Sequence, residues 1–205
     1  MKGEANMMRI LWRMCLQIMI ILMTVSMLLA ASDQRDFRQT TWGMNSSQIV
    51  SAEGKMPAFQ DKGSPIQILG YSDQIANLDC QVFYILAYDQ LVRTKYMISE
   101  KHTNKTEYLS DYDRLKEVLS NKYGKPVSDD IYWKNNLYKS DPSEWGMAVA
   151  VGHMAKFTRW ESLRTTIILC LTGDNFEINL GIEYSSKELA ALEKKAKKEQ
   201  EASKF

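Results

Sequence analysis

Apolar and polar positions alternate most regularly towards the end of the chain, where Phe176, Ile178, Leu180, Ile182 and Tyr184 are separated by Glu177, Asn179, Gly181 and Glu183. A period of two is that of a strand with one buried and one wet face. The run before it, residues 165–172, is apolar on both faces, and Gly173, Asp174 and Asn175 provide a turn, so the pattern predicts an antiparallel hairpin. An earlier hairpin is predicted where Cys80, Val82, Tyr84, Leu86 and Tyr88 alternate with Gln81, Phe83, Ile85 and Ala87, a strand apolar on much of both faces. Asp89 and Gln90 then reverse the chain into residues 91–99. Residues 66–71 add a short apolar run, and residues 55–65, with Pro57, Gly63 and Pro65, read as a loop.

Helical spacing is clearest over residues 106–123, where Leu109, Tyr112, Leu115, Val118 and Leu119 share a face before Gly124 and Pro126 stop the helix. A short helix is predicted after Asn45, a good N-cap with Gln48 three residues on, Ile49 and Val50 as its apolar side and Gly54 at its end. Another starts at Asp141, with Pro142 in the first position and Glu144 completing the cap, and carries Trp145, Met147, Val149 and Val151. The last, capped by Ser185 with Glu188, runs to about residue 202 on a thin stripe of Leu189, Leu192 and Ala196; it is expected to be solvated and partly frayed.

These elements predict an α+β fold, an antiparallel β-meander sheet with helices packed on one face. The order helix, loop, hairpin occurs twice, over residues 45–98 and 106–184, which suggests a tandem repeat of helix-plus-hairpin units. The expected organisation is one α+β domain over residues 33–185, with halves 36–100 and 105–185, followed by a charged C-terminal helix over residues 186–205.

The amino-terminal stretch follows another rule. Arg9 and Arg13 precede an apolar block from Met14 to Ala31, broken only by Gln17, Thr24 and Ser26 and ending in Ala30, Ala31 and Ser32. Charged region, apolar region and small residues are the layout of a signal peptide over residues 1–32. At about 18 residues the block is also at the lower edge of what spans a bilayer, so an uncleaved anchor over residues 14–31 is the alternative. Either places the remainder beyond the cytoplasmic membrane, with the periplasm as the expected location. Cys15 precedes the apolar region, which argues against a lipid anchor.

Composition narrows the partners. The chain has 26 basic and 25 acidic side chains, and beyond residue 32 the balance is 23 to 24. A nearly neutral domain has no electrostatic case for nucleic acid. Membrane contact is expected only through the N-terminal segment if it is retained, because Glu188, Glu193, Glu199 and Glu201 dilute the lysines of the last helix. Cys80 and Cys170, each in a strand-like run, have two readings: a disulfide in an oxidising compartment, or two thiols acting as small apolar side chains.

The segment from Phe37 to Glu53, with Thr41, Trp42, Gly43, Met44 and a capped helix containing Val50, resembles the entry motif of small exported α+β modules such as the SmpA/OmlA outer-membrane lipoproteins and the beta-lactamase inhibitor protein fold. The likeness covers about 17 residues, the rest agreeing in element order. Two departures stand out: no lipidation cysteine ends the signal, and the helix at Asp141 has no counterpart. The resemblance implies a binding or assembly role without chemistry, and it carries no individual functional residue across.

Catalytic signatures are missing: the chain has no HExxH, CxxC or GxSxG. No cofactor or metal is expected. His102 falls in a polar turn and is expected to be solvated; His153 follows Gly152 near a helix end. Asp111 and Asp113 are read as belonging to a helix start, and Asp129 and Asp130 to a turn. The aromatics between residues 131 and 160 are more suggestive. Tyr132, Trp133, Tyr138, Trp145 and Trp160, with Phe157 and Arg159 among them, form either a recognition surface or core under the inserted helix. The expected function is an exported non-catalytic binding or envelope-assembly module with a protein partner, or a periplasmic carrier of a small apolar or aromatic ligand.

Overall fold

The structure, a computed structural model, describes residues 35–204, so the predicted signal or anchor lies outside the described residues. Helix α1 (Ser46–Glu53) begins with a complete capping box. The Asn45 side chain accepts from the Gln48 N–H, the Gln48 side chain accepts from the Asn45 N–H, and Gly54 ends the helix in the left-handed conformation. A four-stranded meander follows: β1 (Phe59–Asp61), β2 (Ile66–Ile75), β3 (Leu78–Ala87) and β4 (Gln90–Ile98). The second half repeats the order with α2 (Glu107–Tyr123), β5 (Ser128–Trp133), β6 (Met154–Glu161), β7 (Thr165–Asp174) and β8 (Glu177–Ser186). A 3-10 turn (Pro142–Glu144) running into α3 (Trp145–Ala150) is inserted between β5 and β6, and α4 (Ala190–Ala202) closes the chain.

All eight strands form one antiparallel sheet in the order β1-β2-β3-β4-β8-β7-β6-β5. The last strands of the two halves are therefore neighbours, paired from Arg93 opposite Ser185 to Met97 opposite Gly181. The α+β meander is as expected, but each half is a helix plus four strands rather than a helix plus hairpin. Two corrections account for much of the difference. Residues 55–65 contain β1, a three-residue edge strand with every side chain exposed, and Asp129 and Asp130 lie in strand β5 rather than in a turn.

Three hairpins reverse through pairs of left-handed residues, none of them glycine: Ala76 and Asn77 (φ 50° and 62°), Tyr88 and Asp89 (50° and 56°), and Asn175 and Phe176 (48° and 66°). Two positive-φ residues match the twist of the flanking strands. They also place the second and third reversals a residue or two from the positions expected, so β7 runs on to Asp174.

The main core lies between one face of the sheet and α1, α2 and α3. Ile167, Leu169 and Leu171 of β7 and Leu180, Ile182 and Tyr184 of β8 meet Ile49, Tyr112, Leu115 and Val149 there. Helix α2 buries Tyr108, Asp111, Tyr112, Leu115 and Leu119, whereas Val118 stays exposed. Gly146 lets α3 touch the entry of α2: a Cβ there would stand 2.5 Å from the Lys105 carbonyl carbon and the Thr106 nitrogen.

Helix α4 does not join the others. It packs on the opposite face, where Ala196, with Leu189 and Leu192, meets Ile66, Ala87 and Val92. Val92 is the extra residue of a bulge that shifts the β3–β4 register between Ile85 and Leu86, and the bulge points it at the helix. The helix expected to be solvated is thus seated, with Glu193 buried as well. Ser186, not Ser185, accepts from the Leu189 N–H at 3.1 Å, and Glu188 is paired with Arg164 instead.

Candidate binding face

An antiparallel sheet with one open face ordinarily turns polar side chains outward. Here the face opposite the main core carries two adjoining apolar rows. Strand register puts Phe59, Gly70 and Phe83 in one row, which continues into Lys95, and Met97, Gly181, Cys170 and Phe157 in the neighbouring row; the two come together where Phe83 and Met97 line the same groove. At the far edge the Tyr132 ring packs edge-on against Phe157, centroids 5.6 Å apart. Tyr132 is 59% and Phe59 52% exposed. A contiguous apolar strip on an open face is the mark of a surface that meets something.

The strip deepens between β1 and β4 into a groove of about 310 Å³ lined by Phe59, Ile68, Phe83, Ile85, Met97 and Lys95. Gly70 makes room for it, since a Cβ there would stand 3.2 Å from both Phe59 Cβ and Phe83 Cε1. Ile68 and Ile85 also border the cluster that seats α4, so the groove continues that interface.

Charge gathers at one side. Glu183 is shared by Lys95, whose Nζ is 2.8 Å from Oε2, and by Arg93. Arg93 also reaches α4, with Nη2 donating to Glu193 Oε2 at 3.0 Å and Nε 2.8 Å from Oε1. Lys197 holds the same carboxylate at 2.8 Å. Burial on its own raises the Glu193 carboxyl, but the bonds and charges of Arg93 and Lys197 overcome it and leave it below its ordinary value. A second cleft of about 370 Å³ runs between α4 and β4 past Arg93, Lys194, Lys197 and Lys198.

The aromatics singled out in the sequence do not converge. Trp160 is core, 1% exposed, with its indole N–H donating to the Gly124 carbonyl at 3.0 Å. Trp133, opposite Met154 on the helix-bearing face, packs edge-on against Trp145 at 5.7 Å, while Tyr138 lies against His153 at 5.6 Å. Of the set Tyr132, Phe157 and Arg159 turn to the open face, and Arg159 is tied to Glu161. The groove residues were missed. Their signal was the second apolar face of β3, since Phe83 and Ile85 need a reason to be apolar once the first face is in the core.

His102 is not solvated as expected. Its Nδ1 is 2.9 Å from Glu107 Oε2 and its Nε2 2.5 Å from Asp111 Oδ2, with the ring edge-on to Tyr108 at 4.8 Å. Asp111 is buried and also takes Arg114. The cluster fastens the β4–α2 connection to α2. Among the described residues no three His, Cys, Asp or Glu side chains are grouped to hold a metal ion.

Cys80 and Cys170 are free thiols. They stand on β3 and β7 with β4 and β8 between them, about 14 Å apart across three strand spacings, beyond the reach of a disulfide. Burial pushes the Cys80 thiol up to about 11, which keeps it protonated and inert.

Among the described residues no helix is long and apolar enough to cross a membrane. Compared with known proteins, the chain matches no family model, and no curated protein or solved structure is significantly similar to it.

Proposed function

We propose that this chain is an extracytoplasmic, non-catalytic binding module of the cell envelope whose working surface is the open face of the sheet. The observation that carries the reading is the pair of adjoining apolar rows, Phe59 to Phe83 and Met97 to Phe157, on the sheet face opposite the main core. Such a strip is costly to leave in water and is repaid on contact with a partner. The N-terminal signal layout supports the location, and the entry motif beginning at Phe37 supports a role without chemistry. His102, enclosed by two carboxylates, is read as a structural fastening.

The test is a photo-cross-linkable residue at Phe157 or Met97 on the open face, and at Val118 on α2 as control, in living cells of the native host. One recurring envelope protein attached through the first two positions and not the third is the expected result. Equal or absent labelling at all three removes the protein-partner reading. A second reading, a carrier of a small apolar ligand, is favoured by the groove, whose volume lies at the lower end of the ligand-pocket range.

A further inference from the structure

We propose that the groove between β1 and β4 takes a single-chain anionic amphiphile, its tail along Phe59, Phe83 and Met97 and its head at Lys95; this rests on the carrier reading. Three observations converge. The groove spans four strands, about 14 Å, with five apolar walls and one ammonium. That suits an extended chain with a single charged end rather than a compact polar ligand.

The ammonium is placed to be recruited. Lys95 shares Glu183 with Arg93, so Lys95 can turn to an incoming carboxylate while Glu183 keeps a cation. Leaving Glu183 unpaired would carry the penalty of a stranded charge; sharing removes it.

The surroundings favour a negative head. Arg93, Lys95, Lys194, Lys197 and Lys198 stand against only Glu183, Glu193 and Glu201 along the groove and the adjoining cleft. Lys194 and Lys198 have no ion-pair partner among the described residues. Arg93 of the cleft and Lys95 of the groove are joined through Glu183, so the basic surface neighbours the apolar one as an amphiphile requires. The floor is continuous with the seat of α4, where Leu189, Leu192 and Glu193 already show apolar groups and a carboxylate docking side by side on the same sheet.

Titration calorimetry on the full chain purified from its native host tests this, with dodecanoate, dodecanol and butyrate as probes below micelle formation. Dodecanoate is expected to bind one to one, dodecanol about tenfold more weakly for want of a charge-assisted contact, and butyrate not at all. Lys95→Gln should weaken dodecanoate about fivefold and leave dodecanol unchanged. Met97→Asp, at a half-exposed position, should abolish both while the circular dichroism melt stays cooperative; Phe59→Asp at the exposed edge strand is the second variant if the first does not fold. Equal affinity for dodecanol and dodecanoate overturns the anionic head and leaves the carrier reading standing. No binding of either overturns both. Binding only to vesicles of anionic phospholipid, with no response to free dodecanoate, overturns the proposal in favour of a membrane surface.

Discussion

Arg93 and Glu193 hold the C-terminal helix against the sheet: Nη2 donates to Oε2 at 3.0 Å, Nε lies 2.8 Å from Oε1, and the carboxylate is almost fully covered. Removing one partner leaves the other charged and poorly solvated. With Lys197 still on the carboxylate, Arg93→Ala should cost about 1–3 kcal/mol and loosen α4, seen as faster amide exchange over residues 190–202 than in Lys195→Ala, a helix position outside the network.

The same contact sets a pH dependence. Because the folded Glu193 carboxyl lies below its ordinary value of 4.5, the unfolded state binds the proton more readily, and the pair's stabilisation is full above that value and lost as pH falls below it. Asp73 and Asp129, also lowered, act in the same sense below 3.8. Melting temperature followed from pH 7 to pH 3 should fall, and the fall should be shallower in Glu193→Gln.

Phe176 sits at a hairpin tip with φ 66° and its side chain 60% exposed. A bulky residue in the left-handed region costs about 1–2 kcal/mol and this ring recovers little by packing. Phe176→Gly should raise the melting temperature by about 2–4 °C; a decrease would show that the ring is packed or the turn different.

Trp160 and Tyr132 separate the two readings of the aromatic segment. Trp160→Ala should cost about 3–5 kcal/mol in chemical unfolding, so any loss of binding in that variant reports folding. Tyr132→Ala should stay within about 0.5 kcal/mol of the parent, making it the informative variant for contact through the open face.

Asp111 gathers His102 and Arg114 on a buried carboxylate. Asp111→Asn keeps the shape but presents one oxygen in place of two, and should cost about 1–3 kcal/mol, with exchange accelerated over residues 99–106. His102→Ala should show the same local loosening if the ring is the fastening.

The strands that the sequence reveals are those whose buried face is purely apolar. β8 shows Ile178, Leu180, Ile182 and Tyr184 to the core and reads at once. β6 does not, because Lys156 and Thr158 occupy its core side between Met154 and Trp160. Lys156 is acceptable there since its Nζ is 2.8 Å from Asp113 and lies over the Tyr112 ring, and Thr158 bonds Tyr112 and Asp129. Such satisfaction depends on helix α2 arriving from elsewhere in the chain, which no local pattern reports. β1 is too short for a period, and hairpins turning on Ala76 or Tyr88 lack the glycine that flags a left-handed pair. The His102 cluster did leave a trace: carboxylates at 107 and 111, one helical turn apart, just after a histidine. The groove left a weaker one in the outward Phe83 and Ile85.

The pairing of β4 with β8 has a consequence for how such a molecule can exist. Each is the final strand of its own helix-and-meander unit, and they meet head to tail. A lone unit would present that strand as an open, sticky edge and would persist in solution only by finding a second unit. In this chain the second unit arrives on a tether of about eight residues, so what would be a concentration-dependent dimer becomes an internal closure, equally complete in dilute and in crowded surroundings.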